Sequence, residues 1–169
     1  MSIEEALKTA IEYETRVWTL YVDAVNQATD KTGKRVFGVM ASEEHGHLKY
    51  LKSRLDEWEK TGKITVANLK TAIPSQETIS AEFAKLKDRM EGTPHPREIE
   101  MLTKARDLEV ETSSFYKKMV DELSDEGQRM FARFVEIEEG HLALVQAELD
   151  AVSGNGFWFD MQEFSLEAG

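Results

Sequence analysis

The sequence contains no cysteine among its 169 residues. The chain therefore has no disulfide, no thiolate zinc site and no cysteine-ligated iron or iron–sulfur centre. It also lacks long apolar runs, since no stretch approaches the roughly 18 uninterrupted apolar residues of a membrane span. Proline is scarce, with three residues, while 41% of the chain is hydrophobic and 31% is charged. This composition is that of a folded globular protein and not of a disordered one.

Acidic residues outnumber basic ones. The sequence has 21 lysines and arginines and 32 aspartates and glutamates, which gives a formal net charge of −11. A nucleic-acid partner is therefore not expected, since a phosphate backbone requires a basic surface. The N-terminal stretch MSIEEALKTAIEYETRV is acidic and amphipathic. It differs from a secretory signal, which has a basic segment followed by an apolar run. We accordingly expect a cytoplasmic protein with neither a nucleic-acid nor a membrane partner.

What the chain does have is helical periodicity. Apolar residues recur three and four positions apart in four long segments. This pattern predicts helices at about 3–28, 31–61, 96–123 and 125–152.

The ends of these segments carry helix-capping signals. Asp30 would cap the second helix and Gly62 would end it. Ser124 or Asp125 would cap the fourth helix, and a glycine-rich break at 154–156 would follow its end.

A long connection separates the first pair of helices from the second. It covers 62–95 and contains one shorter helical stretch, from about Gln76 to Met90, while an aromatic tail occupies 153–169. Short turns force antiparallel neighbours within each pair, and one long crossover between pairs is the arrangement of ferritin-like bundles. We therefore predict one all-α domain over 1–169, a ferritin-like four-helix bundle.

The chain repeats itself. Residues 10–21, AIEYETRVWTLY, align without gaps on 105–116, ARDLEVETSSFY, and residues 37–48, FGVMASEEHGHL, align on 131–142, FARFVEIEEGHL. The repeat matches Glu14 with Glu109, Tyr21 with Tyr116, Glu44 with Glu138, and His47 with His141. Two helical hairpins with the same internal plan therefore make up the predicted bundle.

The repeated glutamates occupy positions where a helix normally buries apolar residues. Around Glu44, the positions three, four and seven away carry mostly Phe, Met, Ala and Leu side chains. Comparable apolar stripes surround Glu14 and Glu138. Glu109 lies in a weaker stripe and is included by analogy with the other three.

The four carboxylates are also predicted at matching heights along the bundle. Glu14 lies 16 residues before the first turn and Glu44 lies 14 after it, while Glu109 lies 15 before the second turn and Glu138 lies 14 after it. At about 1.5 Å per residue, the members of each pair differ in height by roughly 3 Å or less. The histidine three residues after the second glutamate of each hairpin projects from the same face. All six side chains should therefore meet.

Four buried carboxylates need a compensating charge, because burying an unpaired carboxylate is costly and clustering like charges adds repulsion. Two divalent cations would neutralise the glutamates and leave two neutral imidazoles as nitrogen donors. This donor set suits iron or manganese, since zinc sites are usually smaller and closed, and magnesium and calcium prefer oxygen alone. A glutamate from each of two helices, with Glu-x-x-His from each of the other two, is the ligand pattern of di-iron carboxylate bundles.

Two Glu-x-x-His motifs in register with two further glutamates make the chain resemble the rubrerythrin-like branch of the ferritin-like superfamily, over nearly its whole length. The resemblance implies two iron ions, with manganese as the alternative, bound by Glu14, Glu44, His47, Glu109, Glu138 and His141. It also implies that Tyr21 and Tyr116 donate hydrogen bonds to carboxylate ligands. For both tyrosines the alternative is an ordinary core position with a satisfied hydroxyl.

The chain departs from full-length rubrerythrins at two points. Those proteins carry a rubredoxin-like domain with cysteine ligands, which this sequence lacks, so a separate donor protein would supply electrons. They also carry an extra glutamate one turn after the ligand of the third long helix, where this sequence has Thr112. The predicted site is therefore symmetric and need not share the redox-linked ligand movement of that family.

The resemblance implies a di-iron oxidoreductase that reduces hydrogen peroxide or dioxygen. A different class of function is iron handling, in which ferroxidase activity feeds storage or delivery. A third is a non-enzymatic bundle in which the metal is structural. We expect the chain to form a homodimer or a larger homo-oligomer.

Several neighbours of the motifs are predicted to lie outside the metal site. The repeat places Ile137 opposite Glu43, so Glu44 and not Glu43 is the predicted ligand of the adjacent pair. His45 falls off the apolar stripe and is expected at the surface. His95 lies between two prolines and is expected to be an ordinary loop residue.

Two further features are expected to reflect packing. Gly46 and Gly140 recur beside the histidines, although a mid-helix glycine costs about 1 kcal/mol relative to alanine. Their recurrence suggests the close approach of another element, with cramped packing as the alternative. The aromatic residues 157–159 are predicted to pack on the bundle as a flap, with a dimer contact as the alternative.

Overall fold

Five helices make up the described part of the chain. The structure, a computed structural model, describes residues 1–67, 69–86, 95–156 and 158, and these residues contain no strand. The helices in chain order are α1 (Ile3–Gln27), α2 (Lys31–Thr61), α3 (Gln76–Leu86), α4 (Pro96–Glu122) and α5 (Asp125–Asn155). The predicted all-helical bundle is thus confirmed.

The end of α5 is the largest departure from the predicted boundaries. Instead of ending near residue 152, the helix runs through Gly154 to Asn155. It ends there because Gly156 adopts the left-handed conformation, with φ of +72°, that terminates a helix. The other ends of the four long helices fall within one residue of the prediction. The predicted end of the crossover helix, Met90, lies outside the described residues.

Capping residues mark both ends of α2 and the start of α5. Asp30 caps α2 as predicted, because its Oδ1 accepts a hydrogen bond from the Gly33 N–H at 3.0 Å. Gly62 ends the same helix in the left-handed conformation, with φ of +68°. Of the two residues predicted to cap the last long helix, Ser124 is the N-cap and Asp125 is the first helical residue.

The long helices pack as two hairpins. α1 packs against α2 and α4 against α5, while α1 also contacts α4 and α3 lies on α5. The turns within the hairpins are only a few residues long, so the paired helices are antiparallel. Among the described residues, every helix is too short or too polar to cross a bilayer.

Two apolar clusters fill the interior, one toward each end of the bundle. On α1, residues 6–10 belong to one cluster and residues 17–24 to the other. Between the two clusters, each long helix carries one of its buried glutamates, namely Glu14, Glu44, Glu109 and Glu138. The fold therefore places four buried glutamates at the middle of the bundle.

Arginine side chains hold the first part of the crossover against the bundle. Nη1 of Arg54, on α2, donates to the Thr65 carbonyl at 2.7 Å, and Nε of Arg133, on α5, donates to the Leu69 carbonyl at 2.9 Å. These donors satisfy carbonyl groups that belong to no helix. Thr65 and Leu69 of the crossover are thereby tied to α2 and α5.

Trp158 is buried against α2 and α4, with 5% of its surface exposed. Its ring meets Phe37 edge-on at a centroid distance of 5.2 Å, and its Nε1 lies 3.4 Å from Oε2 of Glu98, to which it donates. A Cβ at Gly33 would lie 2.5 Å from the indole, so glycine makes room for the ring. Trp158 therefore packs on the bundle as predicted for the flap, whereas residues 157 and 159–169 lie outside the described part of the chain.

Candidate metal centre

Six buried side chains from the four long helices meet between the two apolar clusters. They are Glu14 of α1, Glu44 and His47 of α2, Glu109 of α4, and Glu138 and His141 of α5. Each is at most 1% exposed. We call these six residues the acid layer. The structure thus brings together every residue that the sequence predicted as a ligand.

Two metal positions can be built from the acid layer. Donor atoms, one from each residue, lie within 4.8 Å of one another in Glu14, Glu44, His47 and Glu138, and again in Glu44, Glu109, Glu138 and His141. Glu44 and Glu138 belong to both groups, so their carboxylates can bridge two cations. We call the two groups the His47 position and the His141 position.

The two imidazoles stack on each other and turn the same nitrogen toward the carboxylates. Their ring centroids are 5.3 Å apart and their planes differ by 7°. Nδ1 of His47 lies 3.3 Å from Oε2 of Glu44 and 3.4 Å from Oε1 of Glu14. Nδ1 of His141 lies 3.1 Å from Oε1 of Glu44. Nδ1 is therefore the donor atom available to a cation in each position.

Several donor atoms of the acid layer have no hydrogen-bond partner among the described residues. They are Oε2 of Glu14, Glu44 and Glu109, both carboxylate oxygens of Glu138, and both ring nitrogens of His47. Buried polar atoms are nearly always hydrogen-bonded, and an unpaired buried charge is costly. Carboxylate oxygens and imidazole nitrogens that face one another in this way fit divalent cations, which would supply the missing partners.

Crowding perturbs the ionisation of the acid layer. Burial and the charge of Glu14 raise the pKa of Glu44 to about 8, and burial also raises the pKa of Glu138. Burial would lower the pKa of His141, but hydrogen bonds to neighbouring carboxylates outweigh it and raise the pKa to about 10. Without a cation, the layer therefore retains protons at neutral pH that a metal ion would displace.

The two repeated tyrosines form hydrogen bonds that cross between the hairpins. The hydroxyl of Tyr21, on α1, donates to Oε1 of Glu109, on α4, at 2.8 Å. The hydroxyl of Tyr116, on α4, donates to Oε1 of Glu14, on α1, at 2.5 Å. Both accepting carboxylates belong to only one metal position each. The tyrosines therefore orient Glu14 and Glu109, each of which belongs to one metal position, and donate no hydrogen bond to the shared Glu44 and Glu138 in the described structure.

Glu43 contacts the acid layer, although the sequence placed it outside the site. Its Oε1 lies 3.2 Å from Nε2 of His141. The Thr71 hydroxyl donates to the same oxygen, and the Ala72 N–H donates to Oε2 at 3.3 Å. Sequence reasoning misses these contacts because they depend on the course of the crossover and because only one half of the repeat makes them.

Three other residues considered from the sequence are not members of the two metal positions. Thr112 stands at the position where full-length rubrerythrins carry a further glutamate. Its hydroxyl donates to the Leu108 carbonyl at 2.8 Å. His45 is exposed, as predicted. His95 is more than a loop residue, because its Nδ1 lies 3.0 Å from Oε2 of the buried Glu98.

The two glycines beside the histidines differ in their surroundings. A Cβ at Gly140 would lie 3.1 Å from the carbonyl oxygen of Pro74 in the crossover. A Cβ at Gly46 would meet nothing within 4 Å among the described residues. The predicted close approach of another element is therefore correct for Gly140 and wrong for Gly46 within this part of the structure.

Comparisons with protein-family models, with curated proteins and with solved structures find no match to the chain. The fold and the site therefore define its class on their own. The chain is a helical bundle with a buried cluster of glutamates and histidines that can hold metal ions.

Proposed function

We propose that the protein is a di-iron carboxylate oxidoreductase of the rubrerythrin-like type, which reduces hydrogen peroxide or dioxygen. The observation that carries the proposal is the overlap of two four-residue donor groups through Glu44 and Glu138. Two shared carboxylates between two histidines suit a dinuclear site. A single structural ion would need only one of the two groups.

The arrangement of the helices supports a ferritin-like bundle. The short turns after α1 and α4 leave two antiparallel hairpins, and the long crossover joins one hairpin to the other. Each hairpin brings one glutamate on its first helix and Glu-x-x-His on its second. This distribution of donors matches the ligand plan of the di-iron carboxylate bundles.

The donor set favours iron as the metal. Four carboxylates and two imidazoles give a mixed oxygen and nitrogen environment without thiolates, which suits iron and, as the alternative, manganese. Two divalent cations would also balance the charge of four ionised glutamates. Bound iron would supply electrons by alternating between its ferrous and ferric states.

The chain itself contributes geometry and the exclusion of water. Glu14 and His47 would complete one coordination shell and Glu109 and His141 the other, with the shared glutamates between them. The apolar clusters on both sides of the acid layer keep bulk water from the site. Reduction of one hydrogen peroxide to two water molecules consumes two electrons and two protons, and a separate donor protein would replace the electrons.

Anaerobic titration of the metal-free protein with ferrous iron, followed by parallel exposure to peroxide and dioxygen, tests the proposal. We expect two ferrous ions per chain and their rapid oxidation by at least one of the two oxidants. Glu44→Gln and Glu138→Gln should lower the metal content because each removes a bridging carboxylate. Glu139→Gln is the matched control, since that neighbouring side chain is 48% exposed and should leave both ions in place.

The same experiment separates the proposal from its alternatives. Binding of well under two transition-metal ions per chain would reject it. Full binding with no oxidation by either oxidant would favour a structural metal in a non-enzymatic bundle. Oxidation of many irons per chain into a mineral, in an assembly far larger than a dimer by gel filtration, would favour iron storage.

A further inference from the structure

The internal repeat makes the carboxylates of the two metal positions alike, but it leaves their histidines in different surroundings. Nδ1 of His141 faces the carboxylates of the acid layer. The other ring nitrogen, Nε2, lies 3.2 Å from Oε1 of Glu43. The corresponding Nε2 of His47 is buried and has no hydrogen-bond partner among the described residues. The repeat explains the difference, because Ile137 stands at the position equivalent to Glu43.

Two residues of the crossover hold Glu43 in place. The Thr71 hydroxyl donates to Oε1, and the Ala72 N–H donates to Oε2 at 3.3 Å. Both oxygens are thus engaged, so the carboxylate has little freedom to leave His141. Its side chain is only 13% exposed, so its charge acts on the imidazole with limited screening by solvent.

A carboxylate in this location changes how a histidine binds metal. When Nδ1 binds a cation, the ring proton resides on Nε2. A carboxylate that accepts a hydrogen bond from this N–H fixes both the tautomer and the orientation of the ring. It also makes the imidazole a stronger electron-pair donor. Nε2 of His141 has such a hydrogen-bond partner, whereas Nε2 of His47 has none in the described chain, although an oxygen of Glu43 lies within 4.8 Å of a His47 ring nitrogen.

We propose that Glu43 is a positioning residue that makes the His141 position the tighter of the two and the first to fill. The inference rests on the proposed dinuclear site and adds an order of loading to it. Hydrogen-bond partners of metal-ligating histidines change metal affinity by about 10- to 100-fold. The two dissociation constants of the wild-type chain should therefore differ by a factor of this order, although the carboxylates of the two positions repeat.

Anaerobic calorimetric titration of the metal-free full chain with Co²⁺ tests the order of loading, and the visible absorption of the bound ion reports the histidine ligation. Glu43→Gln keeps the shape and a neutral acceptor but removes the charge. Glu43→Ile gives both halves of the repeat the same residue. Wild type should bind in two steps, Glu43→Gln should weaken the first step, and Glu43→Ile should merge the two steps while still binding two ions per chain.

Histidine variants assign the steps to the positions. His141→Ala should lose the tighter step, whereas His47→Ala should keep it and lose the weaker one. Glu139→Gln, at an exposed neighbouring position, should leave both steps unchanged. Denaturant unfolding of each metal-free variant checks that it folds, and if Glu43→Ile does not fold, the result for Glu43→Gln decides.

Three results would overturn the role of Glu43. They are unchanged stepwise constants in the Glu43 variants, loss of the tighter step in His47→Ala, and a third Co²⁺ that only Glu43-containing chains bind, which would make Glu43 a ligand. Binding of two ions with equal affinity by the wild type would contradict the proposed order of loading but would still agree with a dinuclear site. A wild-type chain that binds no Co²⁺ and no Fe²⁺ would instead remove the proposed function itself.

Discussion

The hydroxyl of Tyr116 lies 2.5 Å from Oε1 of Glu14, on the neighbouring hairpin. A reciprocal hydrogen bond of 2.8 Å joins Tyr21 to Glu109 in the opposite direction. Each hairpin thus orients one carboxylate of the other, and each of these carboxylates belongs to only one metal position. The same two hydroxyl groups therefore both orient carboxylates of the candidate metal centre and join α1 to α4.

Tyr116→Phe removes one of these hydroxyls and keeps the ring. We expect metal affinity at the His47 position to fall by about 10- to 100-fold. We also expect the free energy of unfolding of the metal-free chain to fall by about 1–3 kcal/mol, because a buried carboxylate oxygen loses its donor. Metal titration and denaturant unfolding measure the two effects. Tyr13→Phe is the control, since the Tyr13 hydroxyl makes no hydrogen bond in the described part of the chain, and equal behaviour of the two variants would contradict the prediction.

Glu138→Gln should lower metal binding without harming the fold. Burial and neighbouring carboxylates raise the pKa of Glu138, which favours the protonated acid in the metal-free chain, and glutamine resembles that form in shape and charge. We expect the metal-free variant to unfold within about 0.5 kcal/mol of wild type. The stabilisation by excess cation, about 2.7 kcal/mol for wild type at 100 times its dissociation constant, should be smaller in the variant at the same cation concentration. A metal-free variant that unfolds much more easily would show that Glu138 is ionised and already paired.

Gly46→Ala and Gly140→Ala should change stability differently, although the two glycines are equivalent in the repeat. Alanine favours a mid-helix position by about 0.5–1 kcal/mol, and nothing in the described structure obstructs a Cβ at Gly46. At Gly140 the new Cβ would lie 3.1 Å from the Pro74 carbonyl oxygen and would press on the crossover. We expect Gly46→Ala to be the more stable variant by about 1 kcal/mol or more. Equal free energies of unfolding in the two variants would contradict this prediction. They would mean that the crossover moves away from the new Cβ without any loss of stability.

Gly33→Ala should displace Trp158 from the bundle. The new Cβ would lie 2.5–2.7 Å from three atoms of the indole, which neither the helix nor the buried ring can accommodate. We expect a loss of about 1–3 kcal/mol of stability from overpacking and greater quenching of tryptophan fluorescence by acrylamide. Gly38→Ala on the same helix is the control, because a Cβ there would meet nothing within 4 Å of the described structure. Unchanged quenching in Gly33→Ala would place the indole elsewhere in solution.

The helices and the composition of the acid layer were accessible from the sequence because both are periodic. Helical spacing predicted the long helices, and the repeat selected six polar residues that the structure places together. Neither step required knowledge of how the hairpins pack, since matching heights within a hairpin follow from counting residues. That these residues bind metal stays a prediction.

The contacts made by one half of the repeat alone could not be predicted in this way. Glu43 contacts His141 across 98 positions and is held by Thr71, so its role depends on the course of the crossover. The same connection distinguishes Gly140 from Gly46. The repeat describes what the halves share, whereas the crossover occurs once in the chain and touches Glu43 and Gly140 without making the equivalent contacts to Ile137 and Gly46, so it makes the halves unequal.

The position of the acid layer between two apolar clusters has a consequence for the lifetime of the protein. Each long helix passes through both clusters, so the ends of the bundle are well packed while the middle depends on bound cations or protons. Chains loaded with metal should open only by global unfolding, whereas unloaded chains should open first at mid-height and expose backbone to proteases there. Metal supply would then govern how long each copy of the chain survives.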